Sequence, residues 1–194
     1  MTSTGVRFNR LFSTELFCSF GYFSKITSTQ GGTMKQTYLT LVFGILVIAQ
    51  QSIAVAAEKS TEAEAIALIQ KAQEYIKKNG VEKSIVEFNK LDSPFNTTSD
   101  INKKGDLYLF TVDQKGYQAV HGKNPKIVGK VMVDMRDQDG VYLIKEMAEK
   151  CFATGKGLVA YRWPNPVTKD LEKKKGYVER VPGQDFCIGT GYYY

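Results

Sequence analysis

From Thr61 to Tyr194 the chain carries two periods of hydrophobic patterning, and the change from one to the other separates helices from strands. Thr61 followed by Glu64 has the spacing of a capping box, in which the hydroxyl takes a free backbone N–H and the Glu reaches back to the cap. Ala65, Leu68, Ile69, Ala72, Tyr75 and Ile76 then recur at helical spacing, and Asn79-Gly80 supplies a left-handed stop, so a long helix is predicted between them. Val81, Ile85, Phe88 and Leu91 predict a second helical stretch ending near Ser93-Pro94, and the polar run Asn96 to Lys104 predicts a loop.

From Asp106 the pattern turns strand-like. Leu107 to Val112 is apolar and aromatic apart from Thr111, Asp113 to Gly116 is turn-forming, and Tyr117 to His121 continues, which predicts a β-hairpin. After an irregular stretch from Gly122 to Gly140, the residues Ile144, Met147, Ala148 and Cys151 mark one face of a third helix stopped by Gly155. Three more strands are predicted at Gly157 to Trp163, Gly176 to Val181 and Phe186 to Tyr192, divided by Pro164-Asn165-Pro166 with its charged loop and by Pro182-Gly183. Helices followed by consecutive strands suit an antiparallel sheet with helices packed on it, so the fold class is α+β.

The region before Thr61 has a different character. Met34 to Ala57 opens on Lys35, runs through an apolar block from Leu39 to Ala49 and closes on Ala54-Val55-Ala56-Ala57, the form of a secretory signal peptide. A membrane anchor is the competing reading, but the apolar block is shorter than the roughly 20 residues a bilayer core requires. Residues 1–33 are then an N-terminal extension, best explained if translation starts at Met34; a basic, hydroxyl-rich transit sequence is the rival. The expected organisation is an extension over 1–33, a signal peptide over 34–57 and one domain over 58–194. The expected location is periplasmic or secreted, with no transmembrane span in the mature chain.

Of the 194 residues, 43% are apolar and 24% charged, which excludes disordered, collagen-like and coiled-coil classes. The net charge of +6 divides equally: residues 1–57 carry +3, and the remainder carries 22 basic against 19 acidic residues. Its lysines are scattered apart from Lys173 to Lys175, which reads as a solvated loop, so no nucleic-acid partner is expected. A single histidine and no Cys pair at ligand spacing exclude zinc ribbons, zinc fingers and c-type haem attachment. The cluster Asp134, Asp137, Asp139, Gly140 resembles part of a calcium loop but lacks its terminal Glu, and reads better as a helix N-cap with acidic residues in the first turn. No nucleophile, base pair, metal set or cofactor motif stands out, so neither an enzyme nor a cofactor is expected.

Beyond residue 57 two cysteines remain, Cys151 and Cys187. An even count in an exported chain favours a bridge, which would close 36 residues of sequence; two separate buried thiols are the alternative. Tyr108, Phe110, Tyr117, Tyr161, Trp163 and Tyr177 lie on predicted strands, where core packing is the default. Aromatic walls with a few convergent donors also suit a small anionic ligand, and His121 and Arg162 sit among them. Arg162 alternates with Tyr161 and Trp163, so on a regular strand it points to the other face.

Several spaced motifs from Asp106 onward resemble the Cache family, in its single-Cache extracytoplasmic form. They are Asp106 to Asp113 (DLYLFTVD) with Gly116, Val120-His121-Gly122, Asn124-Pro125, Ile127 to Lys130, Asp137 to Gly140 (DQDG), Gly157 to Pro166 (GLVAYRWPNP), Tyr177-Val178 and Ile188 to Tyr192 (IGTGY). The resemblance implies a PAS-like antiparallel sheet of five to six strands, with a long N-terminal helix on one face and a ligand pocket on the other, roofed by Gly122 to Phe152. Carried onto the matching positions, it implies ligand contacts from Tyr108, His121, Tyr161, Arg162 and Trp163, with Met135 from the roof.

Two functions are therefore expected in competition. One is an exported sensor module that binds a small organic anion such as a carboxylate and signals through a partner: a membrane receptor, sensor kinase or transporter. With nothing following the last strand but Tyr194, such a module would be free-standing. The other is an envelope interaction or structural protein of the same fold that binds no ligand, presenting a sheet edge or Tyr192-Tyr193-Tyr194 to its partner.

Overall fold

The computed structural model describes residues 58–194, so the expected extension and signal peptide lie outside the described residues. The capping box forms: the Thr61 hydroxyl accepts from the Glu64 N–H while the Glu64 carboxylate accepts from the Thr61 N–H. With both ends of that exchange satisfied, helix α1 (Glu62–Asn79) starts cleanly, and it ends where Gly80 takes a positive φ of 82°. Helix α2 (Val81–Phe88) follows at once.

The strands are β1 (Phe110–Asp113), β2 (Tyr117–Gln118) and β3 (Lys130–Val131), then, after helix α3 (Leu143–Thr154), β4 (Lys156–Pro164), β5 (Leu171–Arg180) and β6 (Phe186–Tyr193). Four make an antiparallel sheet in the order β1-β6-β5-β4, and β2-β3 form a separate two-stranded ribbon. The hairpin expected between Leu107–Val112 and Tyr117–His121 is reduced to one bridge, Phe110 to His121. β1 instead runs beside β6, with Phe110 opposite Gly189. Gly189 makes that pairing close, because a Cβ there would lie 2.5 Å from the Phe110 ring.

Two further expectations are corrected. Lys173 to Lys175 is not a loop: β5 starts at Leu171 and the three lysines lie inside it. The Asp134 to Gly140 cluster is not the N-cap of α3, whose cap position is Tyr142 with no side-chain bond. The Asp137 carboxylate closes its own turn by accepting from the N–H groups of Asp139 and Val141, and its second oxygen accepts from Arg162 N–H on the edge strand β4.

The sheet is covered on both faces. On one, Leu68, Ile69 and Ile76 of α1 pack with Leu107, Leu109, Ile188 and Tyr192. On the other, Leu143, Ile144, Met147 and Ala148 of α3 pack with Phe110, Val112, Val159 and Val178. A disulfide between Cys151 of α3 and Cys187 of β6 ties that second helix to the sheet. Among the described residues no helix is long and apolar enough to cross a membrane.

Candidate functional site

Alternation along β4 sends Val159, Tyr161 and Trp163 to the face beneath α3 and turns Arg162 away. Opposite residues of paired strands share a face, so the register that sets Tyr161 against Lys174, and Lys174 against Tyr193, places those three side by side across β4, β5 and β6. Tyr108, just before β1, joins them: the Lys174 Nζ stands 3.8 Å from the centre of its ring and 4.8 Å from that of Tyr193. The lysine stem can cross β6 there because position 191 is glycine, where a Cβ would lie 2.5 Å from Lys174 Cε.

Beside this group lies a small cavity of about 20 Å³, little more than the room a water molecule needs, so only a very small ligand suits it. Its two ends differ. The apolar end is made by Phe110, Ile127, Met135, Leu143, Ile144 and Met147, most of them from the segment between Gly122 and Phe152 that covers the sheet. The other end is formed by Tyr108, Gln118, His121, Tyr161 and Trp163. The rings follow one another, with centroids 5.1 Å apart for Tyr108 and His121, 6.3 Å for His121 and Trp163, and 6.0 Å for Trp163 and Tyr161.

Of the six ligand contacts expected from the sequence, Tyr108, His121, Met135, Tyr161 and Trp163 line this cavity, and Arg162 does not. The Arg162 side chain leaves by the other face and donates from Nε to Asp139 at 2.8 Å. Of the other aromatics considered, Tyr117 is exposed and Tyr177 packs on the α1 side.

The polar groups at this end have donor capacity to spare. The His121 Nδ1 accepts from Asn124 N–H at 2.9 Å, so a neutral ring carries its proton on Nε2, as a donor. Burial lowers the His121 pKa to about 3, so the ring is neutral at physiological pH. Gln118 is buried and its Nε2 has no partner. Lys174, absent from the expected set, is fully buried, and its Nζ also has none. The nearby Asp106 carboxylate is engaged by the Ser60 N–H and hydroxyl. Burial holds the Lys174 amine well below the ordinary lysine range, against the opposing pull of Asp106. Burial likewise raises the phenols of Tyr108 and Tyr161, so both stay protonated donors.

A neutral apolar ligand would leave these donors bare, at a cost of about 1–3 kcal/mol for each buried polar group. A cation would find no carboxylate among the lining residues. The arrangement fits a compact anion with an apolar tail. Among the described residues no group of three or more acidic, His or Cys side chains stands close enough to hold a metal ion.

The family model for the Cache domain matches residues 49–194. The sensor histidine kinase MctS of Rhizobium johnstonii is 32% identical over 97 residues, 50% of this chain and 20% of that protein. The methyl-accepting chemotaxis protein McpP of Pseudomonas putida is 30% identical over 88 residues, 45% of this chain and 16% of its own. The chain thus aligns with a fifth or less of these relatives' length. Among solved structures, a methyl-accepting chemotaxis protein of Vibrio parahaemolyticus has the same fold, with a TM-score of 0.54 and 22% identity over 80% of this chain and 96% of its own. A periplasmic sensor domain of a chemotaxis protein, 18% identical, covers 84% of this chain and 99% of its own at a TM-score of 0.50.

Proposed function

The chain belongs to the Cache domain family, and on that footing we propose that it is an exported sensor module for a short monocarboxylate, signalling through a partner protein. The observation that carries the ligand class is the polar end of the cavity, where Gln118 Nε2 is buried without a partner among His121, Tyr108 and Tyr161, with the equally unpartnered Lys174 Nζ against the Tyr108 ring. A carboxylate accepts several hydrogen bonds at once and can pair with the Lys174 side chain once that is protonated. The small volume and the apolar end favour a tail of one to a few carbons and disfavour a second charge.

The sensory role is supported by the relatives, which are named as a sensor kinase and a chemoreceptor. The output falls to a membrane receptor, sensor kinase or transporter as partner. Export is supported by the disulfide, since such bonds persist in oxidising compartments.

Thermal unfolding with acetate, propionate, butyrate, succinate, propionamide and propylamine tests this reading. The monocarboxylates raise the melting temperature, since a ligand at a hundred times its Kd stabilises by about 2.7 kcal/mol; succinate, the amide and the amine do not. A rise with propylamine alone, or none with any acid at millimolar concentration, overturns the assignment.

A further inference from the structure

A buried ammonium without a counter-ion is among the most unfavourable groups a protein can hold, and a lysine escapes that state by giving up its proton. Lys174 comes close to that position: it is fully buried, its Nζ has no hydrogen-bond partner, and the one carboxylate that acts on it, Asp106, makes its hydrogen bonds to Ser60 and pulls on the amine only through space. A carboxylate entering the polar end of the cavity reverses the balance, because its negative charge then stands among Tyr108, Tyr161 and His121, the groups that surround the amine. We infer that the cavity takes up its carboxylate together with one proton from solvent, and that this proton is held on the Lys174 amine as the ammonium partner of the bound anion. The inference rests on the carboxylate reading of the site and adds its coupling to pH. The balance is simple: amine, carboxylate and proton combine into a buried ion pair, and no covalent bond between ligand and protein forms.

The titratable groups facing the amine come from four places in the fold. Tyr108 and Asp106 approach from the segment before β1, Tyr161 from β4, Tyr193 from β6 and His121 from the loop after β2. His121 is neutral far above its lowered pKa of about 3, and burial raises the three tyrosines above their ordinary range. A short carboxylic acid is fully ionised above about pH 6. Linkage then requires affinity to fall as pH rises, by a factor approaching ten per unit for one proton taken up.

Calorimetric titration of the protein with propionate at pH 8, in phosphate and in Tris, reads the coupling directly, because the two buffers release protons with different heats. The expected result is close to one proton taken up per propionate, with Kd weakening by nearly tenfold per unit between about pH 7 and 9. Binding with equal heats in both buffers and a flat Kd overturns the coupling and leaves the carboxylate assignment standing. No heat, together with no thermal shift for any acid, removes both. Lys174→Met locates the proton: its melting curve reports whether it folds, and its residual binding should show no uptake. Uptake that persists in a folded Lys174→Met protein places the proton elsewhere and overturns the assignment to this amine.

Discussion

The two faces of the central sheet are built from the same strands and solve burial in opposite ways. On the α1 side, Leu68, Ile69, Leu107, Leu109 and Ile188 are each no more than 1% exposed, and Tyr75, Phe88 and Phe95 stack with centroids 4.8–5.6 Å apart. The buried Asn96 at the rim of that face commits its whole amide to backbone: Nδ2 donates to Phe88 and Lys90 carbonyls, and Oδ1 accepts from Leu109 N–H. On the α3 side the buried polar groups keep capacity unspent, with Lys174 and Gln118 bare beside a cavity. The α1 face also holds two buried polar atoms without partners, Gln73 Nε2 and Asn102 Oδ1, but its dense apolar packing supplies the stability that tolerates the unspent donors around the cavity on the other face.

If that division holds, substitutions on the two faces should separate stability from binding. The largest expected effect is Leu68→Ala, which opens a cavity under α1 and should cost about 3–5 kcal/mol in urea unfolding, while propionate binding by the folded fraction changes less than twofold. A loss of affinity matching the loss of stability would show the two faces to be one cooperative unit. Next comes the double substitution Cys151→Ser with Cys187→Ser. The bridge closes a separation of 36 residues and should contribute about 3–4 kcal/mol in the loop-entropy model. Because it anchors the C-terminal turn of α3 while Leu143, Ile144 and Met147 from the other end line the cavity, its removal should also speed ligand release in stopped-flow measurements. Unchanged release would confine the bridge to stability.

What could be read from the sequence follows the range of the interactions involved. The capping box, the apolar face of α1, the face of α3 and the β4 and β6 strands are local patterns, and each appears where its periodicity places it. The partner of β1 is a different kind of fact: the turn at Asp113 to Gly116 suggested β2, yet the extended neighbour is β6, more than 70 residues later. That pairing sets the Phe110 ring against Gly189, a contact that no local window contains. For the site, alternation already warned that Arg162 faces away from Tyr161, and it does. The same rule applied to Lys173, Lys174 and Lys175 would have set the middle one on the opposite face from its neighbours. Three consecutive charges masked that signal, because a lysine run resembles a solvated loop until the strand boundary is known to precede it.

The smallest expected effect is the one of opposite sign, Lys174→Met. Unfolding frees the amine to bind a proton that it lacks in the empty fold, so the unfolded state carries more protons and stability must rise with pH until the ordinary lysine range is reached. Methionine keeps the stem volume and removes the cost, so the variant should be more stable than the parent at pH 8, by less at pH 9, and little different near the ordinary lysine range. Its thermal response to propionate should be weaker than the parent's. Urea unfolding across that pH range checks both the sign and the slope. A variant less stable than the parent, or a gain independent of pH, would mean that the amine is already charged and paired in the empty protein, and that the two faces of the sheet are satisfied alike.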